Sequence, residues 1–234
     1  SYTVNGQKTW ISHGDLADFY NVMVRTGESG ANGISCLLVA AGTPGLSFAP
    51  RELKMGAWAS PTAGVIFDDV RVGPDHLIGT EDGGFRIAMA ALDAGRLGIA
   101  ACAVGLAQGA LDAATTYAQQ RRQFGRPIAQ FQGLSFMLAD MDTAISAARA
   151  LYLDAARRKD DGVEFGVAAA KAKLFATDTA MKVANDALQV LGGYGYTRDF
   201  PLERYFREAK MLQIVEGTNQ VQRMVIGRAL TDIS

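Results

Sequence analysis

The hydrophobic pattern changes period at one point, and that change limits the fold more than any other feature. Up to about Val72 the apolar residues fall in short runs separated by glycine and proline clusters at residues 27–33, 42–45 and 60–61. Past Gly83 they recur every three or four residues. A period of two belongs to a half-buried strand, and a period near 3.6 to a helix with one apolar face. The chain is therefore expected to be α+β: an N-terminal antiparallel β domain over residues 1–76, followed by an antiparallel four-helix bundle over residues 77–234.

Within the β part, residues 19–25, 34–39 and 64–72 read as strands. Tyr2, Val4, Asn5-Gly6 and residues 7–11 predict a hairpin, because Asn-Gly accepts the positive φ angles of a tight turn. Together these runs predict a sheet or a small barrel. In the helical part, one seam runs through Phe85, Met89, Leu92, Ile99, Ala103, Leu106, Ala110, Ala113 and Tyr117, interrupted by the charge of Arg96. A second runs from Leu134 through Met141 and Ile145 to Ala155, and a third from Ala170 through Thr177 and Ala184 to Leu191. Thr218 reads as the N-cap of a shorter fourth helix that buries Val221, Met224 and Val225.

Composition narrows the class of function. Hydrophobic residues make up 49% and charged residues 20%, with a formal net charge of -1. That is the profile of a globular chain, with no basic stripe for nucleic acid and no polybasic cluster for a membrane surface. The longest apolar stretch is broken by Asp93, Arg96, Gln108 and Asp112, which argues against a membrane span. Cys36 and Cys102 are the only cysteines, and their spacing suits neither a metal site nor a disulfide scaffold. A reducing compartment is expected, the cytoplasm or a mitochondrial matrix. The chain opens Ser1-Tyr2-Thr3-Val4, which reads as mid-strand and predicts a fragment of a longer protein.

Two places carry charge where chemistry can use it. Glu216 precedes Gly217 and the capping Thr218, so a carboxylate sits just ahead of a helix N-terminus. Arg96 lies on an apolar seam with Asp93 three residues earlier, which predicts an ion pair on one helix face.

Five segments, in order, resemble the acyl-CoA dehydrogenase family: residues 5–12 (Asn-Gly-Gln-Lys-Thr-Trp-Ile-Ser), 92–96 (Leu-Asp-Ala-Gly-Arg), 121–125 (Arg-Arg-Gln-Phe-Gly), 189–195 (Gln-Val-Leu-Gly-Gly-Tyr-Gly) and 216–220 (Glu-Gly-Thr-Asn-Gln). The resemblance covers nearly the whole chain and corresponds to the C-terminal two-thirds of the family, whose N-terminal helical domain is missing here. It implies a flavoprotein that removes hydrogen from Cα and Cβ of an acyl-CoA thioester, uses FAD, passes electrons to an electron-transfer flavoprotein and works as a homo-oligomer, most often a tetramer.

Residue by residue, the resemblance makes Glu216 the base that takes the α-proton. The substrate is acidified through hydrogen bonds to its thioester carbonyl, one of them from the backbone N–H of Glu216. A second branch of the family carries its base immediately before the arginine of the 92–96 segment; here that position is Gly95, which leaves the role to Glu216. Trp10 and Ser12 match positions that touch the flavin ring. Arg121, Phe124, Gln189, Gly192 and Gly193 match positions that hold a neighbouring subunit's FAD; Thr218 and Gln220 match further FAD contacts, with Gln132 and Phe131 in the same region. Asp93, Arg96, Val215 and Gly217 are implied to face the substrate, Asp93 and Arg96 at its CoA portion. Val215 stands where several straight-chain relatives carry a bulky aromatic, so a branched acyl group would fit beside it; residues 172–178 and 192–196 resemble short- and branched-chain members most, which implies an isobutyryl-CoA-like or short-chain substrate. Two alternatives stay open: an acyl-CoA oxidase that returns electrons to oxygen, and a helical assembly module without catalysis.

Overall fold

The computed structural model describes residues 1–231, and the chain divides into two compact units, Ser1–Ala91 and Leu92 onward. In the first unit, strands β1 (Tyr2–Ser12), β5 (Thr62–Val72) and β4 (Leu46–Phe48) form an antiparallel sheet in the order β1-β5-β4. Strands β2 (Phe19–Arg25), β3 (Ile34–Ala40) and β6 (Leu77–Ile78) form a second, in the order β2-β3-β6. The alternation in β5 shows why these runs are strands: Val65 and Phe67 are buried, Ile66 between them is exposed, and burial resumes at Val70 and Val72. Inward residues of both sheets, among them Val4, Val22, Leu37, Val39 and Val65, share one core.

The hairpin expected at Asn5-Gly6 does not form. Tyr2–Ser12 is one strand, and the register against β5 shifts between Val4 and Gly6, where Asp68 and Asp69 of β5 bulge opposite Asn5. The Asn5 side chain donates to Asp69 Oδ1 at 2.9 Å, and the Asp69 N–H donates to Asn5 Oδ1 at 2.8 Å. The amide that would have closed a turn on its own backbone is used across the sheet instead. A dipeptide that tolerates positive φ fits opposite a bulge as well as in a turn, and the strand-forming residues on either side favour the continuous strand.

Helix α1 (Gly84–Gln120) starts within this unit. Thr26 Oγ1 lies 2.6 Å from Ser35 Oγ and donates to Asp82 Oδ1 at 2.7 Å, and the Asp82 N–H donates to Ser35 Oγ at 2.8 Å. This ring pins the start of the helix to β3. Gly84 then packs so closely that a β-carbon there would lie 2.5 Å from the Ser35 carbonyl carbon, a space only glycine can occupy.

The second unit contains the rest of α1, then α2 (Gln132–Asp160), α3 (Gly166–Leu191), α4 (Leu202–Leu212) and α5 (Asn219–Thr231). A two-stranded ribbon, β7 (Arg122–Gln123) and β8 (Arg126–Pro127), links α1 to α2. The three long helices follow the expected seams, and α4 is a further short helix that the seams did not reveal. Thirteen of the 26 residues of α3 are buried, which makes it the central element, with α2, α4 and α5 packed on it. Most of those residues are alanines, and small side chains let helix axes come close.

By length and composition α1 is apolar enough to cross a membrane. In this fold Ala100, Ala103, Val104, Ala107, Ala110 and Leu111 belong to the buried core of the helical unit. The last helix corrects the sequence reading. Val221 and Met224 are exposed and Val225 is half-buried, whereas Asn219 and Gln222 are buried. The inner face of α5 is polar because it covers polar groups of α3, which are described next.

Candidate active site

Glu216 lies in the bend between α4 and α5, and the bend is pinned at several points. At its base the Asn219 N–H donates to the Gln213 carbonyl at 3.0 Å. Asp178 on α3 accepts from the Gln213 and Asn219 side chains, both at 2.7 Å, and from Arg223 at 3.1 Å. Thr218 caps α5 as expected, its Oγ1 accepting the Val221 N–H at 3.3 Å. At the tip, Glu216 and Gly217 both adopt positive φ, 54° and 84°. For glutamate that conformation costs on the order of 1–3 kcal/mol and persists only where the surroundings enforce it.

Three buried side chains do so. Lys173 Nζ donates to the Gly217 carbonyl at 3.0 Å and to Asn219 Oδ1 at 2.8 Å. Gln222 Nε2 donates to the Glu216 carbonyl at 3.2 Å and to the Gly217 carbonyl at 2.8 Å. Asn219 exchanges hydrogen bonds with Thr177. Burial pushes the Lys173 ammonium down to about 8, partly opposed by the nearby carboxylate of Asp178.

The bend presents the Glu216 carboxylate to Gly95 on α1. A β-carbon at residue 95 would lie 2.5 Å from Glu216 Oε2. Glycine at this position is therefore a steric requirement of the carboxylate's placement, and the two positions at which the resemblance would put a base converge on one point in space. The Glu216 N–H has no partner among the described residues, so it is available as a donor.

Asp93 and Arg96 form the ion pair that their spacing predicted, with Arg96 Nη1 donating to Asp93 Oδ1 at 2.6 Å. Arg96 is buried, and its Nε has no hydrogen-bond partner among the described residues. The second carboxylate oxygen of Asp93 sits against Gly166 at the start of α3. Val215 is half-buried beside Glu216.

The remaining predicted residues form exposed groups. Arg121 stands over the Tyr194 ring at 6.0 Å, which brings it to the Gly192–Tyr196 turn, where Gly192 (φ 59°) ends α3 by donating to the carbonyls of Leu188 and Gln189. Phe124 (φ 52°) meets Phe131 edge-on at 6.1 Å and is 91% exposed. Gln132 opens α2, and Gln132, Gln189, Gly193 and Gln220 are all exposed. In the β unit, Trp10 is 68% exposed with φ 64°, and Ser12 is exposed at the end of the same strand. By residue type alone Trp10 would be a core aromatic; the structure puts its ring outside. Sequence reasoning missed the supports of the bend, Lys173, Thr177, Asp178, Asn219 and Gln222. One signal was available: Lys173 falls on the buried seam between Ala170 and Thr177.

An α+β chain with a carboxylate held at a strained bend against a glycine has clear relatives. Residues 1–70 match the acyl-CoA dehydrogenase middle domain and residues 82–231 the acyl-CoA dehydrogenase C-terminal domain. The chain belongs to the acyl-CoA dehydrogenase family. It is 48% identical over 231 residues to a short-chain-specific acyl-CoA dehydrogenase of Megasphaera elsdenii, a match covering 98% of this chain and 60% of that protein. To a mitochondrial isobutyryl-CoA dehydrogenase of Dictyostelium discoideum it is 47% identical over 232 residues, covering 98% of this chain and 56% of that one. Among solved structures, a chain from work on the electron transferring flavoprotein of Acidaminococcus fermentans superposes with a TM-score of 0.97 at 52% identity, covering 99% of this chain and 61% of the other. The chain thus spans about three-fifths of the length of its relatives.

Proposed function

We propose that the protein containing this chain oxidises a short or branched acyl-CoA to its trans-2-enoyl-CoA, with Glu216 as the base. The observation that carries this reading is the placement of the Glu216 carboxylate: a strained, fully braced bend holds it against Gly95, with its own N–H available. A brace of that kind serves a residue whose position matters more than its stability.

FAD fits the residues present. An outward-facing indole at Trp10 and a hydroxyl at Ser12 suit a flat heterocycle with polar edges. The guanidinium of Arg121, the ring of Phe124 and the open backbone at Gly192 and Gly193 suit the phosphate-bearing part of a second subunit's cofactor. Bound FAD supplies a two-electron acceptor for the β-hydride. The chain's own work is to bind, aim and deprotonate. Glu216 takes the α-proton onto its carboxylate. The Glu216 N–H donates to the thioester oxygen and stabilises the negative charge that develops there. Arg96, buried and with Nε unpaired among the described residues, puts positive charge on the same side of the bundle. Thr218, Gln220, Gln132 and Gln189 supply further polar contacts to cofactor. Val215, small for its position, leaves room for a methyl branch.

Electrons then pass to an electron-transfer flavoprotein, a reading supported by the A. fermentans structure. The active form is a homo-oligomer, because Arg121, Phe124 and Gln189 are assigned to a neighbour's cofactor, and a tetramer is the form the family resemblance implies. The test is anaerobic mixing of the full-length flavoprotein with butyryl-CoA, isobutyryl-CoA and longer acyl-CoAs. The reading requires flavin reduction with enoyl-CoA formed in equal amount, fastest for the four-carbon substrates. An unreduced flavin across the panel would overturn it, and rapid reoxidation by air would turn it toward an oxidase.

A further inference from the structure

We infer that Lys173 is a positioning residue for Glu216, an inference that rests on reading Glu216 as the base. Lys173 is fully buried in the middle of α3. Its ammonium bonds neither an exposed carboxylate nor solvent; both of its acceptors belong to the bend, the carbonyl of Gly217 and Oδ1 of Asn219. Gly217 follows the base directly, and its carbonyl direction is set by the two positive φ angles that aim the carboxylate. Holding that carbonyl therefore holds the carboxylate.

Packing does not explain a lysine here. Its neighbours on α3, Ala169, Ala170, Ala172 and Ala176, are buried and apolar, and methionine has nearly the same length without a charge to desolvate. Burying an ammonium is costly even when it is paired. The Gly217 carbonyl already has a second donor in Gln222, and Asn219 Oδ1 a second in Thr177. The fold can satisfy both acceptors without Lys173. What the lysine adds is a third tether from the rigid central helix and a positive charge close enough to interact with Glu216. The chain retains it at a cost to stability, as expected of a group that serves the site rather than the core.

The test isolates proton abstraction from oxidation. Acetyl-CoA carries α-hydrogens but has no β-carbon, so in D2O its methyl group can exchange but cannot be dehydrogenated. Exchange is followed by NMR with the full-length holoenzyme, alongside acetyl-CoA affinity and thermal midpoint at pH 7. Lys173→Met is expected to slow exchange by about 10- to 100-fold, the scale of a misplacement near 1 Å, with affinity close to the parent and a thermal midpoint no lower than the parent's. Glu216→Gln is expected to abolish exchange, and adding Lys173→Met to it should change nothing further. Lys173→Gln, which keeps an N–H donor but no charge, should fall between the parent and Lys173→Met, and it decides the matter if Lys173→Met fails to assemble. Exchange within threefold of the parent in Lys173→Met, or in Lys173→Gln where Lys173→Met fails to assemble, overturns the proposal while leaving the base assignment standing, as does a loss matched by equal loss of affinity. Exchange surviving in Glu216→Gln overturns the base assignment and this proposal together.

Discussion

The bend at residues 213–219 and the ribbon at residues 121–131 both carry residues assigned to chemistry, and both contain a non-glycine residue with positive φ, yet they are built in opposite ways. Beneath the Glu216 bend lies a buried polar network of Lys173, Thr177, Asn219 and Gln222, with hydrogen bonds to the carbonyls of both Glu216 and Gly217 at its tip. At the ribbon, Phe124 projects into solvent with Phe131 as its ring partner. The first is complete within one chain. The second displays an aromatic and several arginines on a surface that none of the described residues covers. The contrast separates a group that must be aimed from groups that must be reached by something else.

The most severe way to break the contrast is to move the carboxylate. In a Glu216→Ala background the space against Gly95 is empty, and Gly95→Glu places a carboxylate there from the opposite wall. Because a positioned base is worth about 10²–10⁴-fold, the double variant should recover roughly 10²-fold over Glu216→Ala alone in the rate of flavin reduction. Gly95→Glu with Glu216 retained should instead be nearly inactive, since a β-carbon already comes within 2.5 Å of Oε2. Recovery absent from the double variant would mean that the two positions do not share one site.

A smaller effect is expected at Val215. Tyrosine at this half-buried position adds bulk beside the base, and pocket discrimination by a methyl-sized difference is worth about 1–3 kcal/mol. Val215→Tyr should lower kcat/KM for isobutyryl-CoA relative to butyryl-CoA by about 10-fold. An unchanged ratio would remove Val215 from the account of specificity.

On the ribbon side, Arg121→Ala should weaken FAD retention by about 10-fold or more, the scale of one lost hydrogen bond to a charged group. Phe124→Ala should weaken it less and leave folding stability within about 0.5 kcal/mol, since the ring is 91% exposed. Light scattering with FAD present should give a tetramer for the parent. A large loss of stability in Phe124→Ala would show that the ribbon is structural after all.

The mildest effect is one of pH. The Lys173 ammonium titrates near 8 in the fold and at 10.5 when unperturbed. Between these values the unfolded chain holds a proton that the folded chain has released, so this group makes stability rise with pH. The penalty is full below about pH 8 and fades toward pH 10.5. Denaturant midpoints across that range should rise more steeply for the parent than for Lys173→Met, and parallel curves would place the lysine in a more solvated setting.

Much of this architecture was legible in the sequence because periodicity reports burial directly. Ala103, Ala110, Met141, Ile145 and Ala184 were read from spacing and are buried. The α5 face was misread for the same reason: periodicity assumes an apolar inside, and here Asn219 and Gln222 point inward because α3 offers Lys173 and Thr177. At Asn5-Gly6 local preference misled: only Gly6 takes a positive φ, and the Asn5 amide bonds Asp69 across the sheet, a long-range partner that the dipeptide alone does not reveal. Glu216 was legible through its motif. Its support was not, because Lys173 and Asp178 on α3 lie far in sequence from Asn219 and Gln222 on α5, and the four become one cluster only when the two helices pack.

The central claim is that Glu216 removes the α-proton, and its most direct test is flavin reduction in a single anaerobic turnover. Gln is close to Glu in size and can keep the bend's contacts, but it cannot accept a proton at neutral pH. On mixing full-length Glu216→Gln with butyryl-CoA, FAD content, tetramer mass and thermal midpoint should match the parent, while flavin bleaching slows by about 10⁴-fold, the upper end for a positioned base. Bleaching at or near the parent rate would falsify the assignment and require another group on the chain to take the proton.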